Sequence, residues 1–407
     1  MHRSLDGQSI TFVGYVGGEG FLTTPNQLDV SNSNTPGVVD PTNPVGSQYY
    51  RAVAEVDAHG RVQITAGNAY SGNNGRAAIK ADAATYYLTG NGNNGGLSTP
   101  QLAATQVGVN LITSTGVELL MPGQAPGLPT QIGDFDVTEV GYSTPDKPGK
   151  DNNFRGLTIF QNTLYVTKGS GGNGINTVYQ VGTAGTLPTP ANAPGGNLID
   201  VPITILPGFP TTLASGVALD GSTGNPVAFP FGIWFANPTT LYVCDEGDGM
   251  LVSPPVNGNV VDAATFATAG LQKWILDTTT ETWELAYMLQ HGLHLGEPYS
   301  VANGPHGEVY PPSLNPAPAG CRNLTGRVNT DGTVTLWAIT STVSASGDQG
   351  ADPNQLVVIT DDLTNTDAAG AAHEHFTVVR TAGYGEVFRG VSFAPGTIAT
   401  RPGSGTE

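Results

Sequence analysis

Cysteine is nearly absent from this chain: Cys244 and Cys321 stand alone among 407 residues. Two thiols permit one disulfide and exclude a disulfide framework as the origin of the fold. Charge is sparse as well, at 12% of residues, and one-sided, with 33 acids against 15 Lys and Arg and a formal net charge of −18. Nucleic acid and anionic lipid are therefore not expected partners, because affinity for phosphate rests on clustered Lys and Arg. No apolar run reaches the ~18 residues that a membrane-spanning helix needs. The first residues carry neither a basic n-region nor a continuous apolar h-region. Helical periodicity is also scarce, since Gly, Pro or β-branched residues interrupt nearly every window of about a dozen residues.

What the chain has in quantity is Gly, at 56, and Pro, at 30, beside 38% hydrophobic residues. Gly falls in no three-residue period, which excludes collagen, and the apolar fraction is too high for simple disorder. Asn, Thr, Gly and Ser fill the surface-forming positions, a balance typical of extracellular bacterial or fungal proteins, and the chain reads as secreted. The sequon Asn323-Leu324-Thr325 is compatible with a glycosylated surface in a eukaryotic source.

One pattern returns along the chain: a strand often opened by Arg, a tight turn, then a second strand of aromatic and aliphatic residues. The clearest copy runs from Arg155 to Phe160, turns at Gln161-Asn162-Thr163, and returns over Leu164-Tyr165-Val166-Thr167. Similar hairpins open at Leu5, Arg76, Gly232, Arg322 and Arg389, spaced by roughly 67 to 90 residues. Two more strand-like runs follow several hairpins, such as Leu271–Leu276 with Trp283–Met288, and Gln355–Thr360 with Phe376–Arg380.

Four antiparallel strands per unit describe a blade that cannot bury both of its faces alone and does so against neighbouring blades. The fold class expected is all-β, a β-propeller of four-stranded antiparallel blades, with six hairpins predicting six blades and seven or five as alternatives. Only 18 residues follow Arg389, so the sixth unit is incomplete as written, which predicts an N-terminally truncated chain. The competing expectation is five blades, with Arg389 opening a short closing strand. The Pro- and Gly-rich stretches near 183–230 and 291–320 read as long surface loops within one domain spanning 1–407.

Three segments carry a family resemblance: Asn153-Phe154-Arg155-Gly156-Leu157 with Leu164-Tyr165-Val166, the run from Gly350 to Val358, and Phe388-Arg389-Gly390-Val391-Ser392-Phe393. On these the chain resembles a large, mostly uncharacterised group of secreted bacterial and fungal β-propeller proteins. The resemblance implies the architecture and leaves the activity open, because propellers host lyases, hydrolases, lactonases, oxidoreductases and binding platforms.

In each hairpin the residues before the first strand and after the second share one end of the sheet, where loops usually build a binding site. The ligand-binding candidates there are Arg76, Arg155, Arg322 and Arg389, which share one position in the repeat, with Asp151, Asn153, Tyr384 and Glu386. Repeated guanidinium groups suit a carboxylated or sulfated ligand, or else bridge neighbouring blades through carbonyls and carboxylates. Asp245, Glu246 and Asp248 offer oxygen ligands to Ca²⁺, the one cofactor suggested, as do Asp134, Asp136 and Glu139; solvated turn acids are the alternative. His291, His294 and His306, followed by Glu308, are the densest candidates for a transition metal, and His373 with His375 form a second group. Cys244 ends one hairpin strand and Cys321 precedes Arg322, so the repeat places both at the same end of neighbouring blades. They are either a disulfide or two buried thiols.

No nucleophile elbow, Walker loop or dinucleotide fingerprint is present. The leading expectation is a propeller that binds an extracellular ligand, a carbohydrate or other polymer, on its loop-rich face. A carbohydrate-active lyase or hydrolase and a self-associating adhesive surface protein stand beside it. Whether the chain is an enzyme, and its oligomeric state, stay open.

Overall fold

A computed structural model describes residues 1–16, 33–36, 47–67, 69–91, 108–113, 130–133, 153–169, 174–196, 198, 201–211, 213–214, 228–247, 268–343 and 350–397. Their twenty strands form five four-stranded antiparallel sheets, each a meander in chain order. The first holds β1 (His2–Arg3), β2 (Ser9–Tyr15), β3 (Arg51–Asp57) and β4 (Val62–Gly67). The second holds β5 (Gly75–Lys80), β6 (Thr85–Gly90), β7 (Val109–Thr113) and β8 (Thr130–Gly133). The third holds β9 (Phe154–Phe160), β10 (Thr163–Lys168), β11 (Thr177–Val181) and β12 (Ile203–Ile205). The fourth comprises β13 (Pro230–Asn237), β14 (Thr240–Asp245), β15 (Gly270–Asp277) and β16 (Thr282–Leu289). The fifth comprises β17 (Ala317–Val328), β18 (Thr333–Val343), β19 (Gln355–Asp362) and β20 (Thr377–Thr381). Among the described residues no helix is long and apolar enough to cross a membrane.

The fold is thus all-β and of propeller type, with five blades where the repeat spacing predicts six. The correction falls on the unit opening at Arg389. Residues 385–397 contain no strand, and Pro395, which has no N–H to give a ladder, sits in a turn. Instead, the Gly396 N–H donates to the Gly7 carbonyl at 2.9 Å, tying this segment to the β1–β2 turn.

Turn chemistry sets the hairpins. Asn237 Oδ1 accepts the Thr239 N–H at 2.8 Å between β13 and β14, and Asp331 Oδ1 accepts that of Thr333 at 3.1 Å between β17 and β18. Between β9 and β10 both turn residues, Gln161 and Asn162, take positive φ (45° and 57°), the twist that a two-residue hairpin prefers.

The chain packs as two compact units. The first comprises Met1–Ile205, Thr211–Thr223 and Ser392–Ile398, and carries the sheets β1–β4, β5–β8 and β9–β12. Its core gathers Tyr87, Phe154, Leu157, Leu164, Val166, Tyr179 and Ile203, with the Phe154 and Tyr179 rings edge to face at 5.6 Å. Each such side chain contributes about 1.5–3 kcal/mol on leaving water. The stretch from 183 to 205 is more than a surface loop: it supplies β12 and buries Leu198 and Val201, while Tyr87 donates its hydroxyl to the Pro188 carbonyl at 2.6 Å.

The second unit comprises Leu206–Pro210, Gly224–Val391 and Ala399–Glu407, and carries the sheets β13–β16 and β17–β20. Its core includes Tyr242, Leu271, Tyr287, Leu324, Leu336, Val357 and Phe376. Phe209 stacks on Trp274 at 3.9 Å, and the Trp283 N–H donates to the Pro207 carbonyl at 2.8 Å. Gly208, at φ +90°, permits this approach because a Cβ there would enter the Trp283 backbone. The sequon residue Asn323 is half-buried within β17, with its Cα against Gly232 of β13.

Candidate ligand face

Antiparallel order brings the starts of odd strands and the ends of even strands to one end of each blade. In the second unit that end joins two neighbouring sheets. Cys244, one residue before the end of β14, is disulfide-bonded to Cys321 in β17, with Cα atoms 5.1 Å apart and 77 residues between them in sequence. Ser341 Oγ donates to the Glu246 carbonyl at 2.7 Å, and a Cβ on Gly247, at φ +72°, would strike the Ala319 carbonyl oxygen. Close backbone contact and covalent linkage therefore hold this junction rigidly.

Arg322 rises from it. Its Nε lies 3.0 Å from a carboxylate oxygen of Glu246, which is only 2% exposed, and its guanidinium sits 4.5 Å from the centre of the Phe231 ring. Gly350 lies against the same group: a Cβ there would overlap Nη1 of Arg322 and stand 3.0 Å from Nη1 of Arg389. Two guanidinium groups thus converge where the sequence places a residue without a side chain. Asn354 fixes the second of them by gripping the preceding residue, accepting the Phe388 N–H at 2.7 Å and donating to the Phe388 carbonyl at 3.1 Å.

Aromatic side chains meet the segment that follows Gly350. Tyr299 donates to the Pro353 carbonyl at 2.6 Å, next to the buried Asp352, and the Tyr384 N–H donates to the Ala302 carbonyl at 3.0 Å. The Tyr310 and Tyr384 rings meet edge to face at 6.2 Å, with Tyr384 41% exposed. Burial raises the Tyr310 hydroxyl above its ordinary range, and the negative charge of Asp352 adds to the effect. Glu386 is exposed and accepts the Gly383 N–H at 3.0 Å, shaping the Tyr384 turn.

Asp245 stands behind this face, fully buried. It accepts N–H groups from Phe229 at 2.8 Å, Gly247 at 2.9 Å and Gln272 Nε2 at 3.2 Å. Burial pushes its carboxyl up to about 7, against the pull of those hydrogen bonds.

The four repeated arginines divide between the units. Arg322 and Arg389 come together as described. Arg76 and Arg155 open β5 and β9 in the first unit, where Arg155 is buried and its carbonyl accepts the Thr89 hydroxyl at 3.2 Å. Asn153 bridges Asn91 beside it. Arg51 belongs to this group, and no repeat position pointed to it. It is 1% exposed, lies 4.7 Å from the Tyr15 ring centre and donates to the carbonyls of Tyr49 and Ser33 at 2.9 and 2.7 Å. Only the oddity of an Arg opening the Ala- and Val-rich strand Arg51–Asp57 could have signalled it.

Of the metal candidates, Asp245 and Glu246 engage backbone amides and Arg322 as above, while Asp248 lies outside the described residues, as do Asp134, Asp136, Glu139 and Asp151. His291, His294 and His306 are not gathered into one site. His294 Nδ1 lies 2.9 Å from Glu297, the His306 N–H donates to Glu308 at 3.0 Å, and His291 instead faces His375 with ring centres 5.8 Å apart. Among the described residues no three His, Cys, Asp or Glu side chains assemble as a metal-holding group.

A further polar cluster lies inside the second unit. Lys273 of β15 and Asp361 of β19 form a fully buried ion pair at 2.9 Å, and the hydroxyls of Tyr242 and Tyr287 both donate to Asp361. Its members sit in four different strands, so no local spacing announces it.

No family model matches the sequence, and no curated protein matches it either. Among solved structures, the chain is similar to a mutant of a Bombyx mori GH32 β-fructofuranosidase in complex with sucrose, at 11% identity and a TM-score of 0.33. The match covers 80% of this chain and 58% of that enzyme, so the chain spans well under two thirds of its length.

Proposed function

We propose that the chain is a secreted protein that binds an extracellular carbohydrate, or a similar hydroxyl-rich polymer, at the loop end of β13–β20. The observation that carries this reading is the convergence of Arg322 and Arg389 over Gly350, with Tyr299 hydrogen-bonded to Pro353 in the segment that follows and Tyr310, paired with the exposed Tyr384, within reach of the charge on Asp352. Planar aromatic rings offer apolar faces to the C–H faces of sugar rings, while Arg and carboxylate groups grip hydroxyls and any carboxylate or sulfate. The acid-rich, Lys-poor surface keeps such a protein soluble and off phosphate polymers. Arg76 and Arg155, which lie in β5 and β9 of the first unit with Arg155 buried, belong to packing in this reading.

Affinity electrophoresis through gels containing neutral, uronate-rich or sulfated polysaccharides tests it. Retardation by at least one polysaccharide, abolished by Tyr384→Ala and Arg389→Ala without a fall in melting temperature, is the expected result. Migration unaffected by all three classes overturns it.

A further inference from the structure

The cluster around Asp361 holds one cation and two acids. Lys273 Nζ donates to the carbonyls of Asp362 and Asn365 at 2.8 and 2.9 Å and to the Tyr287 oxygen at 2.8 Å, in addition to its ion pair with Asp361. Asp361 thereby has an ammonium and two phenolic hydroxyls, and its single charge is matched. The second acid is Glu374, in the connection between β19 and β20. Its Oε1 accepts the Asp362 N–H at 3.0 Å and Asn365 Nδ2 at 2.8 Å, which folds the connection back onto the sheet. Its Oε2 is buried and meets no hydrogen-bond donor among the described residues, and Asp361 is the carboxylate beside Glu374.

Two carboxyl groups in contact cannot both stay charged away from water beside one cation. An oxygen that faces a carboxylate and is offered no donor must bring its own hydrogen. We propose that Glu374 carries a proton and donates it in a hydrogen bond to Asp361, and that this bond fastens the 363–376 connection to the paired sheets, so that loss of the proton as the pH rises releases it.

The groups that face the pair favour this. Tyr242 from β14 and Tyr287 from β16 are held as donors, since burial and Asp361 raise both hydroxyls far above their ordinary range. Lys273 comes from β15, and Asp362 adds negative charge from β19. Asp331, in the β17–β18 turn, adds more negative charge near Asp362. His373 and His375 flank Glu374 on the exposed side. Burial first, then the bond to Asp361, pushes the Glu374 carboxyl up to about 7. An acid raised in the folded state keeps its proton there after the unfolded chain has lost it. Its stabilisation is therefore complete below about pH 4.5 and is lost as the pH rises through about 7.

Hydrogen exchange of the amides from Asp362 to Phe376, corrected for the intrinsic pH dependence, tests the proposal at about pH 5.5 and 8.5. The native protein is expected to lose about tenfold or more of its protection at the higher pH, a measurable opening of this one segment. Glu374→Gln, which keeps a donor at every pH, is expected to stay protected at both. The infrared band of a protonated carboxyl group near neutral pH should also weaken in that variant. Equal loss of protection in variant and native protein, or an unchanged carboxyl band, overturns the proposal. Should Glu374→Gln fail to fold, the native protein still decides: protection that does not change between the two pH values overturns it.

Discussion

Arg322 closes on Glu246 at 3.0 Å directly beside the disulfide that joins β14 to β17, Cys244 to Cys321. The covalent link spans 77 residues of chain, and a loop of that length removes about 4 kcal/mol of freedom from the unfolded state. Cys244→Ser with Cys321→Ser is expected to lower stability by roughly that amount, since the two sulfur positions are fully buried and two hydroxyls would replace the bond. Urea unfolding of the native and double-variant proteins measures it. Mass change on alkylation under denaturing, non-reducing conditions confirms the bond, with no thiol labelled in the native protein.

Gly350→Ala places a methyl group on the Arg322 guanidinium and within contact of Arg389. Guanidinium groups at the ends of long side chains can swing aside, so the expected cost is paid in position rather than in folding. The melting temperature should fall only slightly, while affinity for the retarding polysaccharide falls about tenfold or more, as expected when groups are displaced from a preorganised arrangement. A variant that binds as tightly as the native protein would place the ligand elsewhere.

Asp245 gives the protein a second dependence on pH. Its carboxyl is raised from 3.8 to about 7 by burial, so the folded state holds a proton that the unfolded chain releases above about pH 4. Stability from this group is whole at low pH and declines as the pH climbs to about 7, by an amount on the order of 4 kcal/mol. Asp245→Asn is expected to flatten this part of the curve. The same change lowers stability throughout, because an amide cannot accept from Phe229, Gly247 and Gln272 with both of its heads. Melting temperatures across pH 4 to 8 for the native and variant proteins separate the two effects.

Much of the blade architecture is written locally. Tight turns at Gln161-Asn162 and Asp331-Gly332, and aromatic–aliphatic strands such as Leu164–Thr167, are short-range signals that the folded chain honours. The sixth blade failed because Arg389-Gly390-Val391-Ser392-Phe393 has the composition of a strand but joins no ladder among the described residues, and pairing is not a local property. β12 escaped notice for a related reason. At three residues, Ile203–Ile205, it is too short to show alternation and is recognised only by its pairing with β11. Repeat position located Arg322 and Arg389, yet nothing in the repeat distinguished them from the buried Arg155. The difference is set by neighbours distant in sequence: Gly350 brings Arg322 and Arg389 together, and Arg322 rests on Glu246 and Phe231, while Arg155 is buried in β9.

The cluster at Asp361 was the least legible feature, and it makes the sharpest ranking of substitutions. Lys273→Met removes the cation paired with a fully buried acid and leaves that charge uncompensated, for an expected loss of about 3–5 kcal/mol. Tyr242→Phe removes one of the two hydroxyls that donate to Asp361 and leaves the other and the ion pair in place, for about 1–3 kcal/mol. Combining Lys273→Met with Asp361→Leu removes both charges at once, so the double variant should be more stable than Lys273→Met alone. Denaturant unfolding of the three variants against the native protein checks the order. If Lys273→Met proved no worse than Tyr242→Phe, the ion pair would not be what compensates the buried charge on Asp361.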